Sequence, residues 1–224
     1  MHREIRRLFC LIVLAGMASF FNIGAIAQTN ASQRRQANRQ RRAQAAIQET
    51  YTHKFEVTLG GGYLRFRPGP ELRHINEIGW NVAGTRYFNE RFGLTADFRG
   101  YYGTAHPFPN EFALFNNGIR EYVYQAGPTY RIYAKQKFAV SARALVGAST
   151  GVFDVNTNHF PPEDVGIYPV ATVFATNVGI PLDYNIDPAL AIRVTPEFQI
   201  TLFGSQTQFN KGISFGLVYR FGHQ

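Results

Sequence analysis

"SFGLVYRFGHQ", residues 214–224, closes the chain. Apolar residues take every second place, Phe215, Leu217, Tyr219 and Phe221, while Gly216, Val218 and Arg220 stand between them. Strict alternation is the mark of a β-strand with two unlike faces. One face here is aromatic and aliphatic, and the other carries an arginine.

Seven earlier runs repeat the pattern. "KFEVTLGGGYLRF" sets Phe55, Val57, Leu59 and Tyr63 on one face. "EIGWNVAGTRYF" sets Ile78, Trp80, Val82 and Phe88 in phase. "RFGLTADFRGYY" places Phe92, Leu94, Ala96, Phe98 and Tyr102 against Gly93, Thr95, Asp97, Arg99 and Tyr101. "REYVYQAGPTYRIY" sets Tyr122, Tyr124, Ala126, Tyr130 and Ile132 against Glu121, Gln125, Thr129 and Arg131. "KFAVSARALVGAS" sets Phe138, Val140, Ala142, Ala144 and Val146 against Ser141, Arg143 and Gly147. "VATVFATNVGIPLDY" sets Phe174, Val178, Ile180, Leu182 and Tyr184 against Asn177, Gly179 and Asp183. "LAIRVTPEFQITLF" sets Leu190, Ile192, Val194, Phe198 and Leu202 against Arg193, Thr195, Glu197 and Gln199. Pro128 and Pro181 remove ladder donors and are expected at strand ends or bulges. Pro196 has no place in this scheme.

The connections between runs alternate long and short. They read Arg67 to Asn76, Asn89 to Arg91, Gly103 to Gly118, Ala134 to Lys137, Thr150 to Gly166, Asn185 to Pro188 and Gly204 to Gly212. Many runs match the roughly 9–11 residues that a tilted strand needs to cross a bilayer. Short turns on one side and longer loops on the other are the habit of outer-membrane barrels. An even strand count then brings both ends of the barrel to the periplasmic side.

The two faces name the solvent. A soluble sandwich or lipocalin turns its apolar face inward and its charges outward. Here the polar face holds charges of both signs, and the other face is nearly uncharged. An eight-stranded barrel has an interior that side chains fill. Asp97, Arg99, Glu121, Arg131, Arg143, Asp183, Arg193, Glu197 and Arg220 are therefore expected to pair across the lumen. Aromatics gather near the short turns (Tyr87, Phe88, Phe92, Tyr130, Phe138, Tyr184, Tyr219, Phe221) and toward the long loops (Trp80, Tyr101, Tyr102, Tyr122), as two interfacial girdles require.

The N-terminal part belongs to targeting. Basic "MHREIRR" precedes an apolar run that ends Ala25-Ile26-Ala27, the pattern of a cleaved signal peptide over residues 1–27. An uncleaved anchor is the alternative, since the run is about as long as a membrane span. Cys10, the only cysteine, lies in this segment, so the processed chain has no disulfide and no cysteine ligand or nucleophile. Residues 28–50 form an Arg/Gln-rich arm with Arg34, Arg35, Arg39, Arg41 and Arg42, read as a flexible periplasmic arm or a solvated helix. From Tyr51 to Gln224, 15 Lys and Arg stand against 13 Asp and Glu, so the folded part is almost neutral and nucleic acid is not an expected partner.

The closing stretch resembles the C-terminal recognition signal of bacterial outer-membrane proteins. Ser214 opens it, Gly216 follows, and Tyr219 and Phe221 are its two aromatics, with Gly222, His223 and Gln224 trailing. Residues 54–221 resemble the small OmpA/OmpX-like barrel superfamily, with 79–103 similar to its second hairpin and 182–198 to its penultimate one. The resemblance implies an all-β fold, an eight-stranded antiparallel up-and-down transmembrane barrel over residues 51–224. It also implies the outer membrane as location, with both termini periplasmic, and reading of the last strand by the barrel assembly machinery.

Activity is less legible. None of the histidines stands beside a serine in a strand, and Gly60 to Gly62 open no helix, so no enzyme, cofactor or metal site is expected. The expected role is structural or surface-interacting, in a monomer whose partners are outer-membrane lipid and lipopolysaccharide. Phe108, Phe112, Leu114 and Phe115 are loop candidates for contact. A narrow pore for small solutes or ions is the alternative. A lipid-modifying enzyme or a soluble lipocalin-like binder stands further back.

Overall fold

The computed structural model of the chain describes residues 33–105, 117–155, 161, 164 and 166–223. Residues 1–27, the expected signal peptide, lie outside these. Two compact units result, 1–46 and 47–224. In the first, the described residues are helical, part of a helix over 33–51, and their arginines are exposed. The sequence leaves a flexible arm and a solvated helix open for this stretch, and the described part is helix. No described helix is long and apolar enough to cross a membrane.

The second unit is a closed antiparallel ring. Its nine strand segments are β1 His53–Phe66, β2 Ile75–Tyr87, β3 Phe92–Ala105, β4 Asn117–Ala134, β5 Phe138–Val155, β6 Ala171–Gly179, β7 Leu182–Asp187, β8 Leu190–Thr201 and β9 Gln208–His223. β6 and β7 are consecutive halves of one stave, since both pair with β5 and with β8. Eight staves therefore close through β1–β9, where His53 faces His223 and Arg65 faces Lys211. Closure leaves the sheet without an edge, so the backbone ladder runs around the whole wall.

The break in the sixth stave has a chemical cause. Pro181 cannot donate, and across from the gap stands Pro196, which cannot donate either. Two bonds bridge the point, from the Ile180 amide to the Pro196 carbonyl at 3.0 Å and from the Ser141 amide to the Pro181 carbonyl at 2.9 Å. Pro181 thus marks a strand end, as its chemistry demands. Pro128 does not. It lies inside β4, exposed, and the ladder to β5 passes from Ala126↔Val146 to Thr129↔Arg143 in unchanged register. The ladder omits the proline without a bulge.

Short connections 88–91, 135–137 and 188–189 share one end of the ring, with the start of β1 and the finish of β9. Connections 67–74, 106–116, 156–170 and 202–207 share the other. These are called the turn end and the loop end below. The strands reach further toward the loop end than the hydrophobic runs do. β4 and β5 each hold 18 residues. That exceeds what a bilayer requires, so the ladder continues past the apolar belt.

Burial inverts the soluble rule. Leu59, Leu94, Phe98, Val146, Phe174, Val178, Phe215 and Leu217 are exposed on the outer wall, while charged residues are buried inside. A continuous apolar belt of this kind is a surface for lipid, not water. Ring pairs brace its turn-end rim, Phe55 with Phe221 at 5.5 Å and Phe138 with Tyr184 at 5.2 Å. Trp80 donates to the Tyr102 hydroxyl at 3.3 Å toward the loop end. Two girdle expectations need correction: Tyr87 and Tyr101 are buried in the lumen, 2% and 0% exposed. Their odd positions put them in phase with Ala83 and Arg99 rather than with Trp80 and Phe98.

Candidate functional site: the filled lumen

Every second residue of each stave points inward, so the lumen's chemistry follows from sequence parity. The inward residues sort into levels along the barrel axis.

The level nearest the turn end is built on Glu56 of β1. Its Oε1 accepts from Arg131 Nη2 of β4 at 2.8 Å and from Arg220 Nε of β9 at 2.9 Å. Its Oε2 accepts from Arg193 Nη2 of β8 at 2.8 Å. Asp183 of β7 takes a forked bond from Arg193, 2.6 and 2.7 Å, and one from Arg220 Nη2 at 3.0 Å. Three guanidinium groups thus share two carboxylates, and all five side chains are buried. Forked charge-assisted bonds are the strongest available to protein side chains.

Tyr51 floors this level. It precedes β1, yet is 3% exposed. Its hydroxyl donates to the Lys135 carbonyl at 2.7 Å and accepts from Asn185 Nδ2 at 2.8 Å. The Arg131 guanidinium sits between two rings, 4.6 Å from that of Tyr51 and 4.2 Å from that of Tyr87. Burial pushes the Tyr51 hydroxyl above its ordinary pKa of 10.0, and the Asn185 bond and the charges of Arg220 and Arg131 pull partly the other way. A raised folded value means this contribution to stability is whole below pH 10 and is lost as pH climbs through the raised pKa. Tyr51→Phe is therefore expected to cost about 1–2 kcal/mol near neutrality, from two lost bonds. The gap to the parent should narrow above pH 10. Urea midpoints of both proteins across that range check it.

The middle level is a neutral square. Arg99 of β3 forks onto Asp97, with 3.0 Å from Nη2 to Oδ2, and reaches across the lumen to Glu197 of β8. Arg143 of β5 donates to Glu197 Oε2 at 2.8 Å and to Asp97 Oδ2 at 3.3 Å. Tyr101 lies against this square, its hydroxyl 3.1 Å from Arg99 Nη1. Room for that ring comes from Gly62, where a Cβ would stand 3.2 Å from the Tyr101 hydroxyl.

Toward the loop end the charges no longer pair. Glu121 is fully buried, but its partners are Ser149 at 2.7 Å and Gln199 at 2.8 Å, not an arginine. Above it an apolar cap seals the mouth. Phe66, Phe153, Tyr168 and Phe203 pack ring on ring, closest at 5.2 Å, with Leu72 and Ile167 beside them. Tyr168 N donates to the Pro68 carbonyl at 2.9 Å, tying one long loop to another. Gln208 holds both the amide and the carbonyl of Phe203, at 2.8 and 2.7 Å.

All nine charged residues expected in the lumen are there, and eight of them form the ion pairs. Glu121 is the exception. Glu56, with three arginine partners, was not among the nine; it shares the parity of Thr58, opposite Phe55 and Val57, which is the signal that finds it. Glu77 is legible by the same rule from Ile78 and Trp80. Of the four residues that resemble an assembly signal, Tyr219 and Phe221 are exposed outward, Ser214 is buried inside, and Gly216 faces Gly60 across the closing seam. Phe108, Phe112, Leu114 and Phe115 lie outside the described residues. Among the described residues no three His, Cys, Asp or Glu come together as metal ligands.

No protein-family model matches the sequence, and no curated protein matches it either. Solved structures do. The chain is similar to Ail, the attachment invasion locus protein of Yersinia pestis, at 19% identity and a TM-score of 0.50, over 75% of this chain and 99% of that one. It is similar to Neisserial surface protein A at 12% identity and a TM-score of 0.56, over 75% and 97%. It is also similar to the outer membrane protein OprG of Pseudomonas aeruginosa, at 11% identity and a TM-score of 0.52, over 78% and 98%. The fold is that of the eight-stranded outer-membrane β-barrels.

Proposed function

We propose that this chain is an outer-membrane protein whose barrel is a closed, non-conducting anchor that presents four loops at the cell surface. One observation carries the reading: the lumen is crossed by two levels of paired charge and then capped by packed aromatic rings. Nothing so filled serves as a wide water path, so the working surface is the outside. On this reading the turn end is periplasmic and the loop end extracellular.

The loops then carry the contacts. Residues 106–116 include Phe108, Phe112, Leu114 and Phe115, an apolar set suited to a partner surface. The outer rim is cationic. Arg65 and Lys211 face one another across the seam, and Arg67 and Arg73 follow in the first long connection, with His74 beside them. Partial desolvation, with the positive charges of Arg65 and Arg67 beside it, holds His74 below the usual imidazole value. Such a rim suits the phosphates of lipopolysaccharide. Ser214, Gly216, Tyr219 and Phe221 serve recognition by the barrel assembly machinery.

Purified protein in a planar bilayer tests the closed anchor. The expected trace is flat at all applied voltages. Discrete, reproducible conductance steps would replace the anchor with a narrow pore.

A further inference from the structure

Charge is not spread evenly along the lumen. The turn-end level holds three arginines against two carboxylates, and the middle level two against two. Beneath the aromatic cap stand Glu77 of β2 and Glu121 of β4, both 0% exposed. Neither belongs to any ion pair among the described residues. The charge acting on Glu77 is that of Glu121 itself.

Burying one charge without a partner costs several kcal/mol, and burying two of the same sign together costs more. Arg99 of the middle level acts on Glu121 from a distance, but its hydrogen bonds go to Asp97, Tyr101 and Glu197, so it gives neither glutamate a bonded partner. Either protons or another positive group must neutralise the pair.

The surroundings say which kind. Both carboxylate oxygens of Glu77 and Oε2 of Glu121 are buried without a hydrogen-bond partner. Gln199, whose Nε2 touches Glu121, has an unpartnered Oε1. Asn177 and Asn210 are its register partners on β6 and β9, and each has an unpartnered buried Oδ1. Five staves thus offer oxygen lone pairs to one section of the lumen, and neither nitrogen nor sulfur ligands are among them. Two negative charges with neutral amide oxygens suit a hard divalent ion. The mixed, irregular set suits calcium better than magnesium, which demands strict octahedral geometry and keeps its waters.

We propose that Glu77 and Glu121, completed by Gln199, Asn177 and Asn210, hold one divalent cation of calcium size beneath the aromatic cap. The ion ties β2, β4, β6, β8 and β9 together just below the loops. It steadies the platform from which the loops project.

The test uses the full chain folded into detergent micelles with EDTA, then with millimolar calcium chloride. Calorimetric titration should give one saturable calcium site per chain, and calcium should raise the midpoint of the heat-induced gel shift by several degrees. Glu77→Gln with Glu121→Gln removes the buried charges, so this variant should fold without the ion. It should bind no calcium and melt at one temperature in either medium. Gln199→Met, which leaves both carboxylates in place, should weaken the site without abolishing it. The proposal fails if the parent binds no calcium, since the two carboxyls then carry protons instead. It also fails if the double variant binds calcium as the parent does, since the ion then sits on the loops or the detergent surface.

Discussion

Glu56→Ala is expected to destabilise the barrel by roughly 3–5 kcal/mol, the cost of stranding buried charge. Glu56 accepts from Arg131, Arg193 and Arg220 at 2.8 to 2.9 Å. Without it, Arg193 and Arg220 keep Asp183 as their one carboxylate, and Arg131 keeps only its bond to the Glu90 carbonyl and its two stacked rings. Water admitted from the turn end will soften the penalty but not remove it, because Tyr51 closes that path. Glu56→Gln should fall between, keeping one accepting oxygen while losing the charge and the second acceptor. Urea unfolding of the protein in micelles measures all three. A loss below about 1 kcal/mol for alanine, the worth of a solvent-exposed pair, would mean the lumen is wet and the pairs are screened.

A valine at position 60 should prevent the ring from closing. Gly60 of β1 faces Gly216 of β9 across the seam. A Cβ there would lie 1.9 Å from the Phe215 carbonyl oxygen and 2.5 Å from Gly216 Cα. Both obstacles are backbone, so no rotamer relieves them. The seam must part, and with it the ladder from His53↔His223 to Arg65↔Lys211. The expected product is unfolded by gel mobility and cleaved rapidly by protease. Gly84 is the control, because nothing lies within 4 Å of an added Cβ. Gly84→Ala should fold as the parent does. Equal behaviour of the two variants would place the seam elsewhere.

Parity explains what the sequence reveals of this lumen and what it hides. From Phe92 to Tyr102 the polar and apolar sets never exchange places, so Asp97 and Arg99 are legible as lumen residues. In the first strand the apolar set changes phase. Phe55, Val57 and Leu59 face out, whereas Leu64 and Phe66 are buried inside. The wall has by then passed the apolar belt, and the inward face joins the aromatic cap rather than the charge levels. Phe153 and Phe203 arrive in the same cap from the end of β5 and from the connection 202–207, where no alternation announces them.

Partner choice lies deeper than parity. Position alone gives Glu121 the same standing as Asp97, since both are inward carboxylates on long strands. The difference is axial: Asp97 meets Arg99 and Arg143 at its own level, whereas Glu121 meets Ser149 and Gln199. Axial level depends on stagger between staves, which the register sets and the sequence of one strand does not contain. Tyr51 is invisible for another reason. It sits in the last turn of a helix, and its role is fixed by Lys135 and Asn185, 84 and 134 residues away.

The central claim is that the apolar face meets lipid and the charged face meets itself. Nitroxide labels test it directly. In a Cys10→Ser background, single cysteines at Leu94, Ala96 and Phe98 of β3 and at Phe215, Leu217 and Tyr219 of β9 take the label, and the protein is returned to lipid vesicles. All six positions should show high collision rates with oxygen and low rates with a water-soluble nickel complex. Labels shielded from both reagents would contradict the account, for they would put the apolar face in a protein core and turn the charges outward.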